Sequence, residues 1–205
     1  MVKAGDEMGN EVTGLRTIFR KTAADTDGEL LQVDWIGSPG WSAGPKHVHR
    51  KQLERFEVIS GTLGVHVDCA ERVYGPGEVA EAAAGAVHTA WNAGGAGEEV
   101  HALVEFEPAL NSEVPLETLA GLARYGKVNK AGVPKNPFRL ALLVHDYEDE
   151  LYLASPPLLV QRAIFGPLAF LGRLLGYRAE YPYPFAGRPR IPETATRLDA
   201  AQRAR

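Results

Sequence analysis

The sequence predicts an all-β domain followed by an α-helical extension on its C-terminal side. Two observations carry that expectation. Between Thr13 and Glu107, short apolar runs recur at regular spacing with Gly- and Pro-rich turns between them, the signature of a sandwich or barrel. After Pro108 the period changes to helical spacing, which divides the chain into residues 1–108 and 109–205.

Residues 1–10 are polar and read as loosely attached. The first strand is expected over Thr13–Lys21, anchored by Leu15, Ile18 and Phe19. Gly28–Ile36 reads as a second, with Leu31, Val33 and Trp35 on one parity. The turn Gly37-Ser38-Pro39-Gly40 leads to a short strand, Lys46–His49. Arg55–Ser60 and Thr62–Asp68 follow, joined at Gly61. Gly75-Pro76-Gly77 separates them from Glu78–Ala84. Val87–Asn92 and Glu98–Glu107 complete the β part, with Val100, Ala102, Val104 and Phe106 on one face.

Three helices are expected beyond it. Asn111-Ser112-Glu113-Val114-Pro115 opens the first, Asn136-Pro137 the second and Pro156-Pro157 a third that runs to about Gly176. Helices this short need a surface to bury their apolar faces, either the barrel or a partner subunit. Tyr181–Arg205 is Pro- and Arg-rich and reads as a solvated tail.

Composition bounds the class. The chain has 205 residues and a net charge of -4, too small to imply a charged partner. Cys69 is the single cysteine, so no intrachain disulfide forms, which fits a cytoplasmic location. The N-terminal residues lack the apolar run of a signal peptide, and the longest apolar stretch, Ala163–Gly172, is too short to span a membrane. The Arg-rich tail lacks the interleaved aromatics and the motif of a nucleic-acid binder. The expected partners are therefore a small-molecule substrate and, for assembly, a second copy in a homodimer, with neither nucleic acid nor membrane.

The chemistry concentrates in His47-Val48-His49-Arg50-Lys51-Gln52-Leu53-Glu54. On a strand, residues two apart share a face, so His47 and His49 project side by side. Glu54 opens the next apolar run, and His88 lies in a later strand. Three imidazoles and one carboxylate meeting at one point make a site for a divalent transition metal. Two histidines alone would better suit a basic surface loop beside Lys46, Arg50 and Lys51; Glu54, Gly61, His88 and Asn92 at matching intervals reverse that. Phe56, Val58 and Ala90 share the parity of these residues and would wall the site. Trp35, Trp41 and Trp91 suit either the pocket or the core, with core the default for buried aromatics. His66 and the pair His145-Asp146 read as surface groups, while His101 is a weaker candidate for the pocket.

The pattern His47, His49, Glu54, Gly61, followed by Gly77, Gly85, His88 and Asn92, resembles the two motifs of the cupin superfamily over residues 28–108. Two positions depart from it: Ala83 replaces the motif proline, and the glycine before His47 is displaced to Gly40, with Trp41 in its place. The resemblance implies a double-stranded β-helix, or jelly-roll, barrel. It also implies that His47, His49, Glu54 and His88 hold a divalent metal, Fe, Mn, Ni, Cu or Zn, with Glu54 able to act as a base if it leaves the metal. The expected activity is a metal-dependent, dioxygenase-like oxidoreductase of a small organic substrate. The alternatives are a metal-dependent isomerase or lyase and a non-catalytic small-molecule or metal-binding module.

Overall fold

In a computed structural model, residues 2–185 are described. They form a jelly roll of two antiparallel sheets with a helical extension. The strands, in chain order, are β1 (Glu7–Asn10), β2 (Leu15–Lys21), β3 (Leu31–Gly37), β4 (His47–Val48), β5 (Leu53–Ser60), β6 (Leu63–Val67), β7 (Ala70–Tyr74), β8 (Val79–Ala82), β9 (His88–Asn92) and β10 (Val100–Glu107). The extension holds α1 (Glu113–Arg124), α2 (Pro137–Asp146), a short strand β11 (Tyr152–Leu153) and α3 (Leu158–Leu174). One sheet has the order β1-β2-β3-β10-β5-β8, the other β11-β4-β9-β6-β7.

The two-residue period of the sequence is realised directly. On β10, Val100, Ala102, Val104 and Phe106 are buried, while His101, Leu103 and Glu105 are partly exposed. On β5, Glu54, Phe56 and Val58 face inward. These side chains join Phe19, Leu31, Val33, Leu63, Val65 and Ala90 in one core between the sheets. Burial of such apolar area is the main favourable term in folding.

The extension is bound to the barrel rather than appended to it. Leu153 and Tyr152 of β11 pair with His47 and Val48 of β4. The buried amide of Gln52 donates to the carbonyls of Pro108 and Ala109 and to Ser112 Oγ, tying the loop before β5 to the start of α1. Arg50 pairs with Glu148 and Asp149, and Lys51 with Asp149. Asn136 caps α2 by accepting from the amides of Phe138 and Arg139, as its position before Pro137 predicts. The buried Gln161 of α3 donates to the carbonyls of Leu153 and Pro156, fixing α3 to β11. α3 also packs on α2, with Ala141, Leu142 and Ala169 in one buried cluster that Tyr177, just beyond the end of α3, completes. Leu159, Phe170 and Leu174 on α3 remain exposed.

Three expectations are corrected. The N-terminal residues are not loose: β1 pairs with β2, and Val2 and Met8 are buried. The expected first strand is therefore the second, and it begins at Leu15. A two-residue strand, β11, interrupts what the helical period described as helices and loops. Residues 181–185 are not a solvated tail. Tyr181 and Phe185 are buried, the Tyr181 amide donates to Thr118 Oγ1, and a Cβ at Gly121 would lie 2.5 Å from the Tyr181 carbonyl. The rest of the Arg-rich stretch lies outside the described residues.

Among the described residues no helix is long and apolar enough to cross a membrane.

Candidate metal centre

The fold brings His47, His49, Glu54 and His88 together. His47 and His88 are register partners on β4 and β9. Glu54 reaches them from β5 on the opposite sheet, on the same parity as Phe56. His49 lies just beyond the end of β4, which covers only His47–Val48, yet it turns to the same point. Glu54 and His88 are 1% exposed, His49 5% and His47 7%. One potential ligand atom from each lies within 4.8 Å of the other three. Two donors on opposite sides of one ion, each at about 2.1 Å, stand about 4.2 Å apart, so small side-chain adjustments close the group around a metal.

The hydrogen bonds around the group decide which ring nitrogens face inward. His47 Nδ1 donates to the Pro45 carbonyl at 3.0 Å, and His88 Nδ1 to the Ala86 carbonyl at 3.0 Å. His49 Nδ1 donates to the carbonyl of Glu150. Carbonyls only accept, so all three rings carry their proton on Nδ1, and Nε2 is left for the centre. Outer partners of this kind fix the tautomer and orientation of metal-bound histidines. Glu54 Oε2 sits 2.7 Å from His88 Nε2 and 3.2 Å from His49 Nε2, while Glu54 Oε1 is buried and, among the described residues, has no partner. Imidazole lone pairs and a carboxylate converging on one point repel unless a cation, either a proton or a metal ion, lies between them.

The titration shifts express the same conflict. Burial, reinforced by the neighbouring histidines, pulls His47 down to about 3. Burial alone would raise the Glu54 carboxyl, but hydrogen bonds from His49 and His88 hold it well below the usual carboxylate range. Burial would also lower His88, and the Glu54 carboxylate outweighs it, raising His88 above its ordinary value.

Beside this group lies a cavity of about 170 Å³, lined by both the barrel and the extension. His47, His49 and Glu54 open onto it. Trp35, Trp41 and Phe106 form its barrel wall, and Leu116, Leu143 and Leu151 its cover. Trp35 and Trp41 meet edge to face at 5.8 Å, and Phe106 packs at 90° to His49 with 5.5 Å between the rings. Trp41 can take this position because residue 37 is glycine: a Cβ there would lie 2.4 Å from the indole. Trp41, a departure from the motif, is thus both core and cavity wall.

The remaining sequence candidates fall elsewhere. Phe56, Val58 and Ala90 are buried in the core. His66 takes a hydrogen bond from Lys46 at 2.9 Å on the barrel exterior. His101 bonds Asp34 at 3.1 Å on the outer parity of β10. His145 is exposed near the end of α2. Asn92 is structural: its amide donates to the carbonyls of Gly37 and Glu98 and accepts from the Gly94 amide. Sequence reasoning missed Glu150, whose contribution is a main-chain carbonyl with no side-chain signature. It also missed Gln52, for which the buried polar position between Lys51 and Leu53 was the available signal.

A family model described as a cupin domain matches residues 35–104. The chain is 30% identical to a protein of Hypocrea virens (strain Gv29-8 / FGSC 10586) named probable oxidoreductase virH, with 74% of each chain covered. Similar solved structures include an RmlC-like cupin from Shewanella frigidimarina NCIMB 400, with 21% identity, 56% of this chain and 94% of that chain covered, and a TM-score of 0.44. Another is a predicted oxalate decarboxylase from Thermotoga maritima, with 18% identity, 53% and 99% covered, and a TM-score of 0.45.

Proposed function

Since this chain belongs to the cupin superfamily, we propose that it is a metal-dependent oxidoreductase of a small organic substrate, dioxygenase-like in its use of oxygen. The observation that carries the metal is the commitment of all three Nδ1 atoms to carbonyls, which leaves three Nε2 lone pairs and the Glu54 carboxylate facing one point. The donor set of imidazoles and a carboxylate suits Fe, Mn, Ni, Cu or Zn. The printed name of the Hypocrea virens relative supports the redox assignment. A bound divalent ion of this kind supplies Lewis acidity and, if redox-active, a route to oxygen chemistry.

The chain's own residues supply the rest. The apolar cover from α1, α2 and the segment before β11 excludes water from the substrate. His47, His49 and His88 hold their geometry through their carbonyl partners. Glu54, when free of the metal, can take a proton at Oε1. That unpartnered oxygen favours one second reading, a metal-dependent isomerase or lyase in which proton transfer replaces oxidation.

The test is elemental analysis of the purified protein, of the single variants H47A, H49A, E54A and H88A, and of the fourfold variant, followed by oxygen-uptake assays with the metal found. We expect near-stoichiometric metal in the parent, loss in the variants, and oxygen consumption with apolar substrates. Unchanged metal content in the fourfold variant removes the metal reading. Solvent-proton exchange into substrate without oxygen uptake replaces oxidation by the isomerase or lyase reading.

A further inference from the structure

The helix α3 has two unlike sides. One is buried: Gln161, Ala169 and Gly172 meet β11 and α2. The other is bare. Leu159, Phe170 and Leu174 are 76%, 61% and 69% exposed, and Val160, Ile164, Leu171 and, just past the helix, Leu175 stand exposed beside them. At 3.6 residues per turn these positions form one apolar band along the whole helix. Their side chains present roughly 700 Å² per copy, more than the ~300–600 Å² of the largest apolar patch on a typical monomer and near the ~800 Å² that each partner gives to a standard interface.

The band is symmetric in its spacing. Pro167, exposed and next to the helix midpoint, lies at its centre. Counted outward from Pro167, the exposed apolar positions fall at three, four, seven and eight residues on both sides: Ile164 and Phe170, Ala163 and Leu171, Val160 and Leu174, Leu159 and Leu175. A two-fold axis through Pro167 therefore sets each member of a pair against the other member in a second, antiparallel helix. That is the self-complementarity of a closed dimer. The charges favour the same occupant over a lipid surface. Helices that lie on membranes carry a strongly cationic polar face. The only charged residues of α3 are Arg162 and Arg173, and each is already paired, with Glu148 and with Asp146. An apolar band whose rim is neutralised within its own chain suits an identical band, not anionic headgroups.

We propose that α3 forms an isologous, antiparallel dimer with α3 of a second copy, crossing at Pro167. No residue of α3 lines the cavity beside the metal centre, so this interface and the proposed function stand or fall separately.

Sedimentation of the full chain tests the dimer, with Val160→Lys, Leu174→Glu and the double variant V160K/L174E. We expect the parent to be a dimer at micromolar concentration. Each single variant should weaken it about 100-fold or more, because every dimer then buries an unpaired charge twice. The double variant sets the introduced ammonium of each copy against the introduced carboxylate of the other, and should associate about ten-fold more tightly than either single variant. Within one chain the two positions are about 21 Å apart along the helix, so only a second copy can pair them. Both side chains are exposed in the single chain, so folding should be kept, which circular dichroism and thermal melting check. The rescue is an outcome that misfolding could not produce. A monomeric parent, whether free or floating with vesicles of phosphatidylcholine and phosphatidylserine, overturns the proposal. So does a dimer that the single variants leave unchanged, or a double variant that associates as weakly as the single ones.

Discussion

The ring of His49 is held by the main-chain carbonyl of Glu150, a residue 101 positions later in the chain. Glu150 is itself buried, and its carboxylate accepts from the backbone amide of Asn111 at 3.1 Å and from the Asn111 side chain at 3.0 Å. The segment entering β11 thus supplies an outer partner of the candidate centre, and the start of α1 fixes that segment. The extension both covers the cavity and orients one of the four inward-facing groups.

We therefore predict that Glu150→Ala, which leaves the carbonyl but frees the segment from Asn111, weakens metal affinity by about ten-fold, the lower end for loss of outer-shell support. His49→Ala should cost more. Competition titration with a chromophoric chelator measures both. Equal affinity of E150A and the parent would separate the extension from the centre.

The pH response of the metal-free chain follows from three shifted groups. His47, pulled down to about 3 by burial, stays neutral where the unfolded chain protonates near 6.5, so stability falls as pH drops from about 6.5. Glu54 has a lowered value, because hydrogen bonds from His49 and His88 outweigh the opposing effect of burial. Its contribution is present above about 4.5 and lost on acidification. His88 is raised, because Glu54 outweighs burial. Its contribution is complete below about 6.5 and is lost as pH rises through the raised value. The melting temperature of the metal-free protein should therefore peak near pH 6.5 and decline on both sides. A divalent ion must displace the His88 proton, so the melting shift it produces should be larger near pH 8 than near pH 6. Scanning calorimetry with and without zinc reads both effects, and a metal shift that shrinks with rising pH would contradict the assignment.

Gly61 and Gly85 separate two reasons for glycine in the motifs. Both have positive φ, 76° and 87°, a region that costs other residues roughly 1–2 kcal/mol. At Gly85 a Cβ would meet open space, whereas at Gly61 it would lie 2.3 Å from the Glu99 carbonyl and 2.9 Å from Val100 Cα. Gly85→Ala should then cost about 1 kcal/mol, and Gly61→Ala about 3 kcal/mol or more, since backbone cannot move aside as a side chain can. Denaturant unfolding of the two variants checks the order, and equal losses would leave only the backbone conformation as the cause.

Much of this was legible in the sequence because the physics is local. Period-two burial on β5 and β10, turn glycines, and the Asn136-Pro137 cap all act within a few residues. The spacing from His47 to Asn92 carried the resemblance that placed four side chains at one centre. Most of the missed features have the opposite property. β1, β11 and residues 181–185 are too short or too polar to signal themselves; β11 and residues 181–185 are ordered by partners far away in the chain, β4 and α1, while β1 is a polar strand ordered by its neighbour β2.

By itself, the sequence determined most of the strand and helix pattern, the jelly-roll resemblance, and which side chains could meet. The tertiary structure alone decided how they meet: which ring nitrogen of each histidine faces inward and what covers the cavity. Residue type and spacing specify a side chain's chemistry and its face. Tautomer and cover depend on carbonyls and apolar surfaces contributed by distant segments, which no local pattern encodes.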